Sequence, residues 1–210
     1  MPIINYASKE IQFKIVYYGP ALGGKTTNLA YIHSRIAPAH RGDLVSLATA
    51  ADRTLFFDFL PLTAFTLHGF RTKFQLYTVP GQVIYNSTRQ LVLRSVDGVV
   101  FVADSQWDKM EENVGSFRNL EQNLQKQNLL LEEVPVVLQF NKRDLPNVAP
   151  TNYLEYLLNN RKRRLESFEC TANTGVKVFS TLDAVTQRVL HKFKTENASL
   201  FSGPGKPAAR

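Results

Sequence analysis

The chain has 210 residues, 44% of them hydrophobic and 20% charged, which suits one globular domain with a full-sized core. Its net charge of +7 is spread along the sequence apart from Arg161-Lys162-Arg163-Arg164, with no aromatic-interleaved basic stripe, so nucleic acid is not an expected partner. One cysteine, Cys170, excludes an intramolecular disulfide framework and suits a reducing compartment. The four histidines form no metal-like cluster with it.

Residues 1–10 read as a short lead-in. Residues 11–18 alternate apolar and polar side chains as a strand does. Residues 27–36 carry Leu29, Ile32 and Ile36 at helical spacing, and 37–54 read as a long loop. Residues 55–60 and 70–77 are predicted as two strands with a short connection, hence an antiparallel pair. Residues 91–94 look helical. The apolar run 99–103 is expected of a strand buried on both faces. Met110, Val114, Phe117, Leu120 and Leu124 predict a helix, 134–140 another buried strand, 153–158 a helix and 165–170 a last strand. Val178, Leu182, Val185 and Val189 line a final helix. Strands alternating with helices predict an α/β fold with a mostly parallel sheet covered on both faces. The expected domain spans 1–195, and 196–210 read as a disordered tail. The basic run 161–164 reads as a solvated segment, with a docking patch as its alternative.

In such a sheet, ligands bind where the strands end, and the informative residues lie there. After the first strand comes Gly19-Pro20-Ala21-Leu22-Gly23-Gly24-Lys25-Thr26, followed by Thr27 and the first helix. Gly19, Gly23 and Gly24 let backbone N–H groups approach phosphate oxygens, and the helix N-terminus adds its partial positive charge. Lys25 places an ammonium on the outer phosphates, and the Thr26 hydroxyl suits Mg²⁺. After the strand ending at Phe140 comes Asn141-Lys142-Arg143-Asp144. The Asp144 carboxylate can accept from guanine N1–H and its 2-amino group but not from adenine, while the Lys142 stem lies along the base. Thr171 and Ala172 follow the last strand, where the Ala172 N–H can reach the guanine O6. After 70–77 comes Thr78-Val79-Pro80-Gly81-Gln82: Gly81 offers a backbone N–H to a γ-phosphate, and Gln82 can orient an attacking water. Before the strand at 55–60, Thr54 is a candidate second hydroxyl on Mg²⁺, and Arg53 a candidate stabiliser of charge on the transferred phosphoryl group.

Taken together, these residues resemble the small Ras-like GTPases over roughly residues 10–194. The strings at 14–20, 53–59 and 76–82 are more specifically similar to the bacterial MglA group of cell-polarity and gliding-motility GTPases. The resemblance implies a P-loop GTPase (G domain) fold of three layers, α/β/α, with a mostly parallel six-stranded sheet and one antiparallel strand. It implies GTP/GDP and Mg²⁺ as cofactors in a GTP-hydrolysing switch that regulates polarity or motility; that turnover is slow is expected from Ala21 alone. The implied partners are a roadblock-type, MglB-like homodimeric activator and polarity or pilus-associated effectors. The activator supplies no arginine finger, so that Arg53 and Gln82 act. A cytoplasmic location with recruitment to a cell pole by partners is expected. No bilayer-spanning run, signal peptide or lipidation motif is read in the sequence, so no direct membrane anchor is expected.

Two positions depart from the family pattern. Thr78 stands where most Ras-like proteins have a magnesium-supporting aspartate; Asp58 or Asp52 can compensate by charge. Ala21 stands where close relatives have glycine, and its methyl group points toward the γ-phosphate. The alternative function is therefore an adaptor that stays in the GTP form with very slow or no hydrolysis.

Overall fold

The structure, a computed structural model, describes residues 2–48 and 54–198, without the side chains of residues 47, 48, 54–56 and 83. Among the described residues eight strands form one sheet: β1 (Ile3–Asn5), β2 (Glu10–Tyr18), β3 (Val45–Ala48), β4 (Thr54–Leu67), β5 (Phe70–Thr78), β6 (Gly98–Asp104), β7 (Val136–Asn141) and β8 (Glu166–Glu169). Five α-helices cover it: α1 (Lys25–Arg35), α2 (Asn86–Leu93), α3 (Met110–Gln125), α4 (Thr151–Asn159) and α5 (Val178–Glu196). The order across the sheet is β3-β4-β5-β2-β6-β7-β8. Strands β5, β2, β6, β7 and β8 are mutually parallel, and β4 runs antiparallel to both β3 and β5.

The alternation in β2 assigns the layers. Ile11, Phe13, Ile15 and Tyr17 pack into one apolar cluster with residues of α1 and α5, where Phe13 stacks on Phe74 and meets the edge of the Phe193 ring. Val16 and Tyr18 face the opposite cluster, built with α2, α3 and α4. Every residue of β6 and β7 is buried, as the uninterrupted apolar runs require of central parallel strands.

The sheet has two more strands than the six expected. Strand β1 lies in the predicted lead-in. Pairing of β6 with β2 begins only at Ile15, and β1 pairs with Glu10 to Gln12, covering backbone that β6 leaves open. Strand β3 lies within the expected loop at 37–54. It pairs with β4 between Val45↔Phe59 and Ala48↔Thr54, across a register shift. Strand β4 runs through Pro61, which pairs with Gln75 on the β5 side. On the other side the β3 pairing has ended at Phe59, so the missing N–H leaves no ladder partner unpaired there, and the Pro61 carbonyl accepts from Gly42 N. Helix α2 starts at Asn86, well before the expected 91. Of the tail expected at 196–210, Glu196 closes α5 and Asn197 caps it on Phe193 O, and the chain from 199 on lies outside the described residues. None of the helices among the described residues is long and apolar enough to cross a membrane.

Cys170, at the end of β8, is buried, and desolvation pushes its thiol up to about 12. It is a packing residue held between turns: its N–H donates to Phe140 O, and its carbonyl accepts from Arg143 N.

Candidate functional site

The predicted residues other than Arg53 and Thr54 converge at the carboxyl rim of the sheet. The turn from β2 into α1 can be built only with glycine. A Cβ on Gly19 (φ 147°) would lie 2.2 Å from Val102 O, and one on Gly24 (φ 99°) would lie 2.1 Å from Asn141 Nδ2. Lys25 opens α1 with its side chain buried, and its ammonium donates to the carbonyls of Gly19 (3.1 Å) and Pro20 (2.6 Å). Burial drives its pKa down to about 7, and Arg89 adds repulsion while Asp58 acts in the opposite sense. This buried cation beside an open backbone loop can pair with an oxyanion.

A second group forms a cavity of about 300 Å³ lined by Gly24, Thr27, Asn141, Lys142, Asp144 and Ala172, with neighbours from the same turns. Asn141 ties it together, donating to Gly23 O (2.9 Å) and accepting from Ala172 N (2.9 Å). The Ala172 N–H, expected at the guanine O6, is therefore directed to Asn141 in this structure. Lys142 adopts a left-handed backbone (φ 65°), and its ammonium pairs with the fully buried Asp104 at 2.5 Å. Its stem is thereby held along the cavity wall. Asp104 is in turn fixed by Asn113, which exchanges side-chain hydrogen bonds with its backbone. The Asp144 carboxylate is exposed at the cavity, so its two oxygens are open to donors of a planar ring. Thr171 is buried one residue before Ala172, its N–H donating to Val176 O.

On the other side of Lys25 lies Asp58, in the middle of β4 and fully buried. Its Oδ2 accepts from Thr26 Oγ1 at 2.6 Å and from Thr78 Oγ1 at 2.7 Å, and Ser46 Oγ donates to its Oδ1. Asp58 N also donates to Thr78 Oγ1. The carboxylate absent from the Thr78 position is thus present on the neighbouring strand, brought there by the antiparallel pairing of β4 with β5. One carboxylate and adjoining hydroxyls form an oxygen donor set of the kind a hard divalent cation takes. Thr54 begins β4, and its side chain is not among those described; Arg53 and Asp52 lie outside the described residues.

Gly81 and Gln82 leave β5 directly over the phosphate loop. A Cβ on Gly81 would lie 2.2 Å from the Ala21 Cα, 2.5 Å from its N and 2.9 Å from its Cβ, so the two turns pack backbone against backbone with the Ala21 methyl group beside the contact. Gln82 is half-buried at the start of the turn into α2. A larger cavity, about 660 Å³, lies elsewhere, at the amino ends of β7 and β8 beside α5, and brings none of these residues together.

Residues 58–189 match the model of the ADP-ribosylation factor family. The chain is also similar to the mutual gliding-motility protein MglA of Myxococcus xanthus strain DK1622. The two are 53% identical over 194 residues, spanning 92% of this chain and 98% of that protein.

The chain belongs to the Ras-like small GTPases, in the MglA group. It is a GTP-binding α/β protein, and the rim carries the turns at which such a fold meets its ligand.

Some of the site was not legible in the sequence of this GTPase. Asp104 sits at the end of an apolar strand with nothing to mark its pairing with Lys142. Arg89 lies unmarked ahead of the helix expected at 91–94, yet it sits on α2 and is fully buried. Asp58 stands with Asp52 as a residue that can compensate for the carboxylate missing at Thr78; the sequence leaves the choice open, and the contacts of Asp58 with Thr26 and Thr78 appear only in the fold.

The state of Lys25 makes a prediction. Its pKa in the folded, ligand-free chain lies below the ordinary 10.5. Between about pH 7 and 10.5 the unfolded chain therefore binds more protons at this group, and stability rises with pH. Denaturant midpoints of the nucleotide-free GTPase, compared with those of Lys25→Met, should diverge as pH increases from 7 to 9, the parent gaining. Parallel pH dependences would refute the assignment.

Proposed function

We propose that this GTPase is a guanine-nucleotide-dependent switch that hydrolyses GTP with Mg²⁺ and regulates cell polarity or motility. The supporting observation is the convergence at one rim of a buried Lys25 loop, the Asp58–Thr26 pair and the Asp144 cavity in a chain of this family. In this reading Gly19, Gly23, Gly24, Lys25, Thr26 and Thr27 cradle the phosphates. Asn141, Lys142, Asp144, Thr171 and Ala172 form the guanine corner. Thr26 and Thr54 offer hydroxyls to Mg²⁺, and Asp58 acts in place of a carboxylate at Thr78. The ion, when bound, neutralises charge on the β- and γ-phosphates. Gly81 directs an N–H toward the γ-phosphate, Gln82 orients the attacking water, and Arg53 stabilises the charge that develops. The motility role comes from the relative, whose name describes a gliding-motility protein. A roadblock-type, MglB-like activator and polarity or pilus-associated effectors are the proposed partners, with the protein cytoplasmic and drawn to a cell pole by them. Residues 1–195 act as one G domain.

The guanine assignment predicts the effect of Asp144→Asn. An amide in that place loses the acceptor pair for N1–H and the 2-amino group, and can donate to the 2-oxo group of xanthine. GTP affinity should fall about 100-fold or more while xanthosine triphosphate gains. Equilibrium titration with both nucleotides decides it, and unchanged selectivity would overturn the reading.

The metal assignment predicts that Asp58→Asn weakens the Mg²⁺ dependence of nucleotide retention by about 10- to 100-fold. Nucleotide release measured against magnesium concentration tests this, and superimposable curves would count against Asp58.

The packing of Ala21 on Gly81 favours a second reading, in which the protein holds GTP with little turnover and recruits effectors as an adaptor. Displacement of catalytic groups by about 1 Å can cost on the order of 100-fold in rate. In that reading Ala21→Gly accelerates single-turnover GTP hydrolysis, with an activator of the roadblock type present, and equal rates reject it.

A further inference from the structure

We propose that Arg89 is a positioning residue for hydrolysis: its guanidinium clamps the carbonyls of Pro80 and Gly81 and so sets the orientation of the peptide that carries Gln82. This rests on the reading of Gly81 and Gln82 as the hydrolytic turn.

Arg89 lies on the inner face of α2, and none of its surface reaches solvent. Its Nε donates to Pro80 O at 2.8 Å and its Nη2 to Gly81 O. Its Nη1 donates to Asn119 Oδ1 on α3 at 2.7 Å. The guanidinium also stands over the Tyr18 ring, 5.1 Å from its centroid, one residue before Gly19. Among the described residues no carboxylate forms an ion pair with it.

A buried cation without a carboxylate is costly, and an apolar side chain of similar volume would fill the space without that cost. What an apolar side chain cannot do is hold two successive carbonyls in one plane. Arginine's fork of fixed N–H groups does so, and lysine, a point charge with rotatable donors, does not. With both carbonyls held, the Gly81–Gln82 peptide has its rotation fixed from the core side, while Ala21 limits it from the loop side.

The clamp is itself braced. Asn119 Oδ1 also accepts from Tyr18 Oη at 2.5 Å, and Asn119 Nδ2 donates to Asn86 Oδ1 at the start of α2. Asn123 donates to Tyr18 Oη and Asn86 Oδ1 and accepts from Gln90 Nε2. The strand entering the phosphate loop, the Gly81 turn and α3 thus share one buried polar network.

The test compares Arg89→Lys and Arg89→Gln with the parent and with Gln82→Leu. Three quantities are measured: GDP affinity, single-turnover GTP hydrolysis, and amide hydrogen exchange over 78–86 in the GDP-bound protein. Expected is a GDP affinity within about 3-fold of the parent, a hydrolysis rate lower by about 10- to 100-fold, and faster exchange over 81–86. A residue needed only for stability would lower affinity and rate together. Variants that bind GDP and retain both the parental rate and the parental exchange would overturn the proposal. Should both arginine variants fail to fold, Asn119→Ala removes the brace from the α3 side. It should slow hydrolysis by about 3- to 10-fold, and an unchanged rate would be equally fatal. The underlying reading fails separately, through Gln82→Leu hydrolysing at the parental rate. If the parent turns over too slowly for comparison, the exchange over 81–86 decides: faster in the arginine variants supports the clamp, unchanged refutes it.

Discussion

The side chain of Asn141 is the interaction on which the rim depends. By donating to Gly23 O and accepting from Ala172 N it joins the phosphate loop to the turn after β8, with β7 as the fixed point. Three loops that are far apart in sequence thereby become one surface. The same contact explains the glycine at 24, since the amide of Asn141 occupies the volume a Cβ would need. Loops are usually the adaptable part of an α/β protein; here a buried amide locks them to the rigid strand ends.

From that tie the site divides into two halves with different physics. The Asp144 side is open, with an exposed carboxylate and a lysine stem held by Asp104. The Lys25–Asp58 side is closed and charged. A buried ammonium, a buried carboxylate and a buried guanidinium lie near one another, with loop carbonyls and hydroxyls as their partners. Such an arrangement keeps polar groups preorganised in a region of low dielectric, where their fields act strongly on a charged ligand.

The fold was largely legible because its signals are local. The glycine loop at 19–26 sits between an alternating strand and a helix, and the runs at 99–103 and 134–140 can only be central strands. What escaped reading depends on pairing over distance. Strand β1 is three residues of ordinary composition, a strand only because β2 has backbone to cover there. Asp58 could be named only as one of two acids able to make up for Thr78; that it meets Thr26 at the start of α1 and Thr78 on β5 depends on the strand pairing. Arg89 falls in an amphipathic helix where arginine ordinarily faces water, and only the carbonyls of Pro80 and Gly81 account for its turning inward. Pro61 pointed to a connection because the sequence does not say that β3 stops two residues short of it.

The sheet also separates the interior into two apolar layers that share no side chains. One holds α1 and α5, the other α2, α3 and α4, and β2 contributes alternate residues to each. The apolar contacts of α2 lie in its own layer, and Arg89 carries its polar link to the Pro80–Gly81 turn. The far layer then acts as a fixed mechanical base, so that a rearrangement on the switch side proceeds as a local repacking and the remainder of the molecule keeps its shape. A sheet two side chains thick is in this sense a partition, and it lets one protein be rigid and adaptable on opposite faces.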